Sequence, residues 1–289
     1  MQIIVLGMHR SGTSAFTGLI HMMGAALGPH ELVAQPALDN EKGFWERVDV
    51  SRLNEDVLDA LGCTWFDLGQ FDPARLIHPA LDRFRVRVRQ ITSELDRHRP
   101  WVLKDPRLCL TLPLWLPWLD APVCVIPYRS PLEIARSIQA RDQLSISHSI
   151  ALWELYTLNA LRGSQGLPRL GVSYGRLVRD PITEIQYLYS RLTEFQVADL
   201  HLPDAEDIRQ FVETRLYHQR VEVEDSEGLL NPEQLYLAAS LRDGTALNWT
   251  EIPNFSKDAS RLLKEFHQWR EQQVKTKESE EKLIRHSDI

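Results

Sequence analysis

Residues 1–14, MQIIVLGMHRSGTS, decide the fold. The short apolar run Gln2 to Leu6 reads as a buried strand, and it leads directly into Gly7-Met8-His9-Arg10-Ser11-Gly12-Thr13-Ser14. An apolar helical pattern follows, so the unit is strand, glycine loop, helix. Such a unit cradles phosphate, because glycines let backbone N–H groups approach the anion and the helix N-terminus adds unpaired donors and a positive dipole. Against the nucleoside-triphosphate loop GxxxxGK[ST], Gly7 and Gly12 stand at the required spacing and Ser14 fills the last position. The lysine position holds Thr13, however, and the one fixed positive charge in the loop is Arg10. The loop is therefore expected to hold a phosphate group by some other mode than the usual clamp on ATP or GTP.

A second strand-to-helix turn lies downstream. Val123-Cys124-Val125-Ile126 is a β-rich apolar run that leads into Pro127-Tyr128-Arg129-Ser130-Pro131-Leu132-Glu133. Ser130, Pro131 and Glu133 read as a helix start: an N-cap serine, proline at the first helical position and glutamate three after the cap. Arg129 then sits at the strand end and Ser137 two turns into the helix. An arginine can fork two donors onto a phosphate while a hydroxyl adds a third.

Between and beyond these turns, strands alternate with helices, which predicts a parallel sheet covered on both faces. Strands are expected at Trp101 to Leu103, Val123 to Tyr128 and Leu170 to Ser173. Leu81, Phe84, Val88, Ile91 and Leu95 repeat at helical spacing, with arginines at 83, 85, 87 and 89 taken as solvated. Asp180-Pro181 opens another helix, and a last core helix is expected from about 204 to 217. The acidic stretch from 221 to 228 marks a change of composition. We divide the chain there into an α/β domain over 1–220 and an acidic linker with a helical extension over 221–289. The terminal helix, roughly 257–285, is expected to dock on the core or on a partner, with self-association as one outcome.

Composition sets limits on function. The 289 residues are 43% hydrophobic, enough for one large core. The net charge of −7 gives no basic footprint for nucleic acid or anionic membrane. Cys63, Cys109 and Cys124 are scattered with no CxxC pair and read as buried thiols, which fits a reducing cytoplasm. No run of about 18 apolar residues is present, so no membrane span is expected, and the first strand leaves no room for a secretion signal.

The loop Arg10-Ser11-Gly12-Thr13 resembles that of sulfotransferases using 3′-phosphoadenosine 5′-phosphosulfate (PAPS), in particular bacterial members with arginine at this place. The resemblance covers about residues 1–220. It implies a P-loop-type α/β fold and binding of the donor's 5′-phosphosulfate by Arg10, Ser11, Gly12, Thr13 and Ser14. Arg129 and Ser137, eight positions apart, would take the 3′-phosphate, so that two sites on two parallel strands select a 3′,5′-bisphosphorylated nucleotide. Lys42-Gly43-Phe44-Trp45-Glu46 is similar to a segment of bacterial members, which makes Glu46 the candidate general base, with His9 as its rival. Lys104, at a strand end, falls where a residue contacts the sulfuryl group, with Arg10 as the electrophile. Tyr174 matches the tyrosine beside adenine, although Gly175 replaces the acidic residue that usually follows. The late basic clamp on the 3′-phosphate has only His218 to Arg220 as a counterpart.

The implied activity is transfer of a sulfuryl group from PAPS to an acceptor hydroxyl on a glycan or other small molecule, without a metal, releasing 3′-phosphoadenosine 5′-phosphate. Two alternatives stay open. Val102-Leu103-Lys104-Asp105 can be read as a strand whose aspartate holds magnesium in a kinase with a degenerate loop. A catalytically silent nucleotide-binding partner is the other.

Overall fold

The structure, a computed structural model, describes residues 1–34, 45–216 and 228–287, with side chains except at 213–216 and 277–287. Four strands form one sheet: β1 (Gln2–Val5), β2 (Trp101–Lys104), β3 (Pro122–Tyr128) and β4 (Arg169–Ser173). Their order is β2-β1-β3-β4 and every pair is parallel. Ile3 pairs with Val102 on one side and Val123 on the other, so the carboxyl ends of the strands lie along one edge.

β1, β2 and β3 carry buried apolar residues on both faces, as a sheet covered by helices on both sides requires, while β4, at the edge, buries only Leu170 and Val172 on one face. Ile4, Leu103, Cys124 and Ile126 face one cluster, packed under α2 (Val48–Ala60), α3 (Asp82–Leu95), α4 (Leu108–Trp115) and α6 (Ile146–Gly163). Ile3, Val5, Val102, Val125, Leu170 and Val172 face the other, under α1 (Thr13–Met22), α8 (Pro181–Glu194) and α9 (Ala205–Leu216). The fold is thus α/β, a P-loop-type parallel sheet flanked by helices. The order in which strands are added reverses about β1, since β2 and β3 lie on opposite sides of it. In open α/β sheets, ligands bind in the crevice outside the carboxyl ends at such a switch point. The loops after β1 and β3 meet there.

Beyond residue 228, α10 (Pro232–Arg242) and α11 (Lys257–Ser287) pack into the first cluster through Leu237, Leu241, Ala259 and Leu263. Glu154 of α6, 2% exposed, draws them in: it accepts from Gln234 Nε2 at 2.8 Å, Ser256 N–H at 2.6 Å and Ser256 Oγ at 2.8 Å. A buried carboxylate with three donors is satisfied, whereas one without them would be strongly destabilising. The terminal helix therefore docks on the core. The boundary near 220 and 221 lies outside the described residues. All three cysteines are free and buried, and burial pushes the Cys63 thiol up to about 11 and Cys124 to about 12. Among the described residues no helix is long and apolar enough to cross a membrane.

Candidate active site

The loop after β1 owes its shape to two left-handed residues, Arg10 at φ 68° and Gly12 at φ 91°. A Cβ at Gly12 would stand 2.4 Å from Tyr174 Cδ2, so only glycine fits both the backbone and the space. Ser11 is buried; its hydroxyl donates to the Met8 carbonyl at 2.7 Å and its N–H to the same oxygen at 3.2 Å, which curls the loop inward. No side chain caps α1 at Gly12, where the loop passes into the helix. Thr13 is buried beneath it and Ser14 is half-buried.

Arg10 is not glycine, and a left-handed residue of this kind costs on the order of 1–3 kcal/mol unless its surroundings hold it. Two contacts do so. Its Nε donates to Ser137 Oγ at 2.8 Å, and its carbonyl accepts from Arg129 Nη1 at 2.9 Å. The residues expected at two separate phosphates are therefore tied to each other across the β1–β3 crevice. Arg129, 6% exposed, also donates from Nε to Glu133 at 2.9 Å and lies 4.6 Å from the centre of the Tyr174 ring. Tyr174 begins α7 (Tyr174–Arg179), right after β4, so three strand ends contribute to one wall.

The helix expected to start at Ser130 and Pro131 does so. Ser130 occupies the N-cap of α5 (Pro131–Asp142), but its side chain makes no capping bond. The glutamate that should have completed a capping box turns back to Arg129 instead. An ion pair with a nearly buried guanidinium outcompetes a bond to one backbone N–H.

A second group assembles at the end of β2. Lys104, 1% exposed, donates to Glu46 Oε1 at 2.5 Å and to Ser14 Oγ at 2.9 Å. The β1–β2 register pairs Val5 with Lys104, which places that ammonium beside the start of the phosphate loop. Burial pushes the Glu46 carboxyl above its ordinary value although Lys104 pulls it down. Trp45, at φ 55°, packs against His21 and Phe211 with ring centres 5.6 and 6.1 Å away. Lys42, Gly43 and Phe44 of the same motif lie outside the described residues, as do His218 to Arg220.

His9 sits on the other side of the loop. Its ring lies 4.4 Å from that of Trp65, and Nε2 is buried with no hydrogen-bond partner among the described residues. Burial first, then the positive charges of Arg107, Arg141, Lys104 and Arg10, hold its pKa well below the usual histidine value. His9 is thus a neutral imidazole at neutral pH, and its protonated form is opposed by four cations.

Asp105 is fully buried and has all four lone-pair directions occupied. Oδ1 accepts from Asn54 Nδ2 at 3.2 Å and Arg107 N–H at 2.9 Å; Oδ2 accepts from Ser51 Oγ and Arg107 Nη1, both at 2.8 Å. Arg107 is its ion-pair partner. Beside Gly175, Glu184 of α8, 3% exposed, accepts from Ser173 N–H at 2.5 Å and from Arg176 Nε at 2.7 Å.

Comparison with known proteins gives no match to a family model and none to a curated protein. Solved structures do match. The chain is similar to the sulfotransferase domain from the curacin biosynthetic pathway, with 16% identity over 91% of this chain and 96% of that one and a TM-score of 0.43. It is similar to the sulfotransferase domain of the Synechococcus PCC 7002 olefin synthase, with 17% identity over 92% and 94% of the two chains and a TM-score of 0.41. Sulfotransferase STF9 from Mycobacterium avium gives 16% identity over 89% and 78% and a TM-score of 0.43.

Proposed function

We propose that this chain transfers a sulfuryl group from PAPS to an acceptor hydroxyl. The observation that carries the reading is the cross-linked pair of turns after β1 and β3, where Arg10 reaches Ser137 and Arg129 reaches the Arg10 carbonyl. Two cationic turns in one crevice suit a ligand with two anionic groups. The residues present fit such a nucleotide. The glycine-lined loop ends on an uncapped helix start, and Tyr174 stands beside it for a base. Thr13, Ser14 and loop N–H groups would hold the 5′ end, and Arg129 and Ser137 the 3′-phosphate.

When bound, the donor supplies an activated sulfuryl group on a phosphate leaving group. The chain's part is proton removal, charge stabilisation and alignment. Glu46 is the better base. Its carboxyl is raised toward a working range by burial, while Lys104 keeps the ionised form accessible. His9 is unprotonated and so able to accept a proton, but the four surrounding cations disfavour the imidazolium that would result. Lys104 and Arg10 would stabilise the charge that grows in transfer. The acceptor hydroxyl belongs to a carbohydrate or other small metabolite in this reading.

The test is incubation with PAPS labelled in its sulfate, a panel of hydroxyl acceptors and excess EDTA. Label should pass to an acceptor with the chelator present, because the lone pairs of Asp105 are engaged by protein donors. Loss of transfer on chelation, restored by magnesium, would overturn the reading and favour a kinase.

A further inference from the structure

Residues 64–71 form a connection without a helix or strand of their own, yet side chains from two helices fix their backbone. The Tyr156 hydroxyl of α6 donates to the Trp65 carbonyl at 2.8 Å, and His148 Nε2 donates to the Phe66 carbonyl at 2.8 Å. Asp67, 5% exposed, accepts from His267 Nδ1 at 3.0 Å and Arg270 Nη1 at 3.1 Å, both on α11. Gly69 lies so close to α11 that a Cβ would stand 2.6 Å from the Leu263 carbonyl oxygen. What this anchoring places is Trp65. Its indole lies 4.4 Å from the His9 ring, and the Arg141 guanidinium sits 5.6 Å from the indole centre. Unlike Trp101 and Trp115, which are at most 1% exposed, Trp65 keeps part of its surface open. A partly exposed indole therefore stands beside His9 of the phosphate loop, on a segment whose shape depends on the C-terminal helix.

We infer that Trp65 sets acceptor specificity by stacking on a ring that carries the hydroxyl to be modified, and that Asp67, His267 and Arg270 are positioning residues that hold it there. The shared chemistry is a flat ring with an apolar face, either the C–H face of a pyranose or an aryl ring, both of which suit an indole. The inference rests on the sulfuryl-transfer reading for what the ring receives.

The experiment uses full-length protein labelled with 5-fluorotryptophan, with the Trp65 resonance assigned through Trp65→Phe. Calorimetric binding of 3′-phosphoadenosine 5′-phosphate is measured first; its failure would count against the sulfuryl-transfer reading. With that nucleotide bound, methyl β-D-glucopyranoside and phenol are titrated separately as probes. At least one should shift the Trp65 fluorine resonance in a saturable way while Trp101, buried in β2, stays in place. The arm that responds identifies the ring. Arg270→Ala, at a partly exposed position, should weaken the responding probe by about three- to fivefold, with nucleotide affinity unchanged and Arg270→Lys giving partial rescue. A bound nucleotide with Trp65 unmoved by both probes would overturn the inference. So would equal weakening of nucleotide and probe by Arg270→Ala.

Discussion

Glu46 is governed by two opposed effects, burial that favours the neutral carboxyl and Lys104 at 2.5 Å that favours the charged one. Burial dominates, so the carboxyl titrates above the ordinary range. A base must be ionised, so turnover should fall as pH drops through that raised value, higher than an exposed glutamate would dictate. Glu46→Gln should keep nucleotide binding and lower single-turnover rates at saturating acceptor by about 10²–10⁴-fold. His9→Asn measured alongside should lose far less; the reverse pattern would exchange the two roles. Lys104, Glu46 and Arg10 were each legible from the sequence as candidates, because each lies within a short motif. Their partners were not. Glu46, in the coil before α2, meets Lys104 at the end of β2, and Arg10 meets Ser137 across a crevice that only the folded sheet brings together. Trp65 carried no motif at all; it sits beside His9 because α6 and α11 fix its backbone and the next residues.

The element on which the site depends most is the β1–α1 loop. Gly12→Ala would force a side chain into Tyr174 at a left-handed position. We expect it to destabilise the protein by about 1–3 kcal/mol and to weaken nucleotide binding, read by thermal unfolding and by calorimetry. An unchanged affinity would show that the loop's exact curl is not required. The elements with clear periodicity or punctuation were readable from sequence: β1, β3, α3 and α8 lie within a few residues of where pattern places them. α4 and α6 were not. α4 is buried nearly throughout and contains Pro113, and α6 runs 18 residues with almost every position buried. A helix that is apolar all round has no polar face to set a period against, so it yields no amphipathic signal. The helix start at Ser130 and Pro131 was read correctly, although the Ser130 side chain makes no capping bond and Glu133 pairs with Arg129.

At the scale of the molecule, the region beyond 228 is part of the main core, with Glu154 as the buried link between α6 and both α10 and the start of α11. Composition marked a change near residue 221 but could not reveal this packing, because Leu262, Phe266 and Trp269 offered only one short apolar patch. Leu263→Ala, at 2% exposure, should cost about 2–5 kcal/mol in chemical unfolding, and the loss should appear in a single transition. A separate early transition confined to the C-terminal region would contradict shared packing. The central claim is that two cationic turns on neighbouring strands select a 3′,5′-bisphosphorylated nucleotide. It is tested most directly by calorimetric titration of wild type and Arg129→Ala with 3′-phosphoadenosine 5′-phosphate and with adenosine 5′-phosphate. Wild type should prefer the bisphosphate by roughly 10- to 150-fold, the equivalent of a charge-assisted contact of about 1.5–3 kcal/mol. Arg129→Ala should erase most of that preference while changing affinity for the monophosphate little. Equal affinity of wild type for the two ligands, or equal losses for both in Arg129→Ala, would contradict the account.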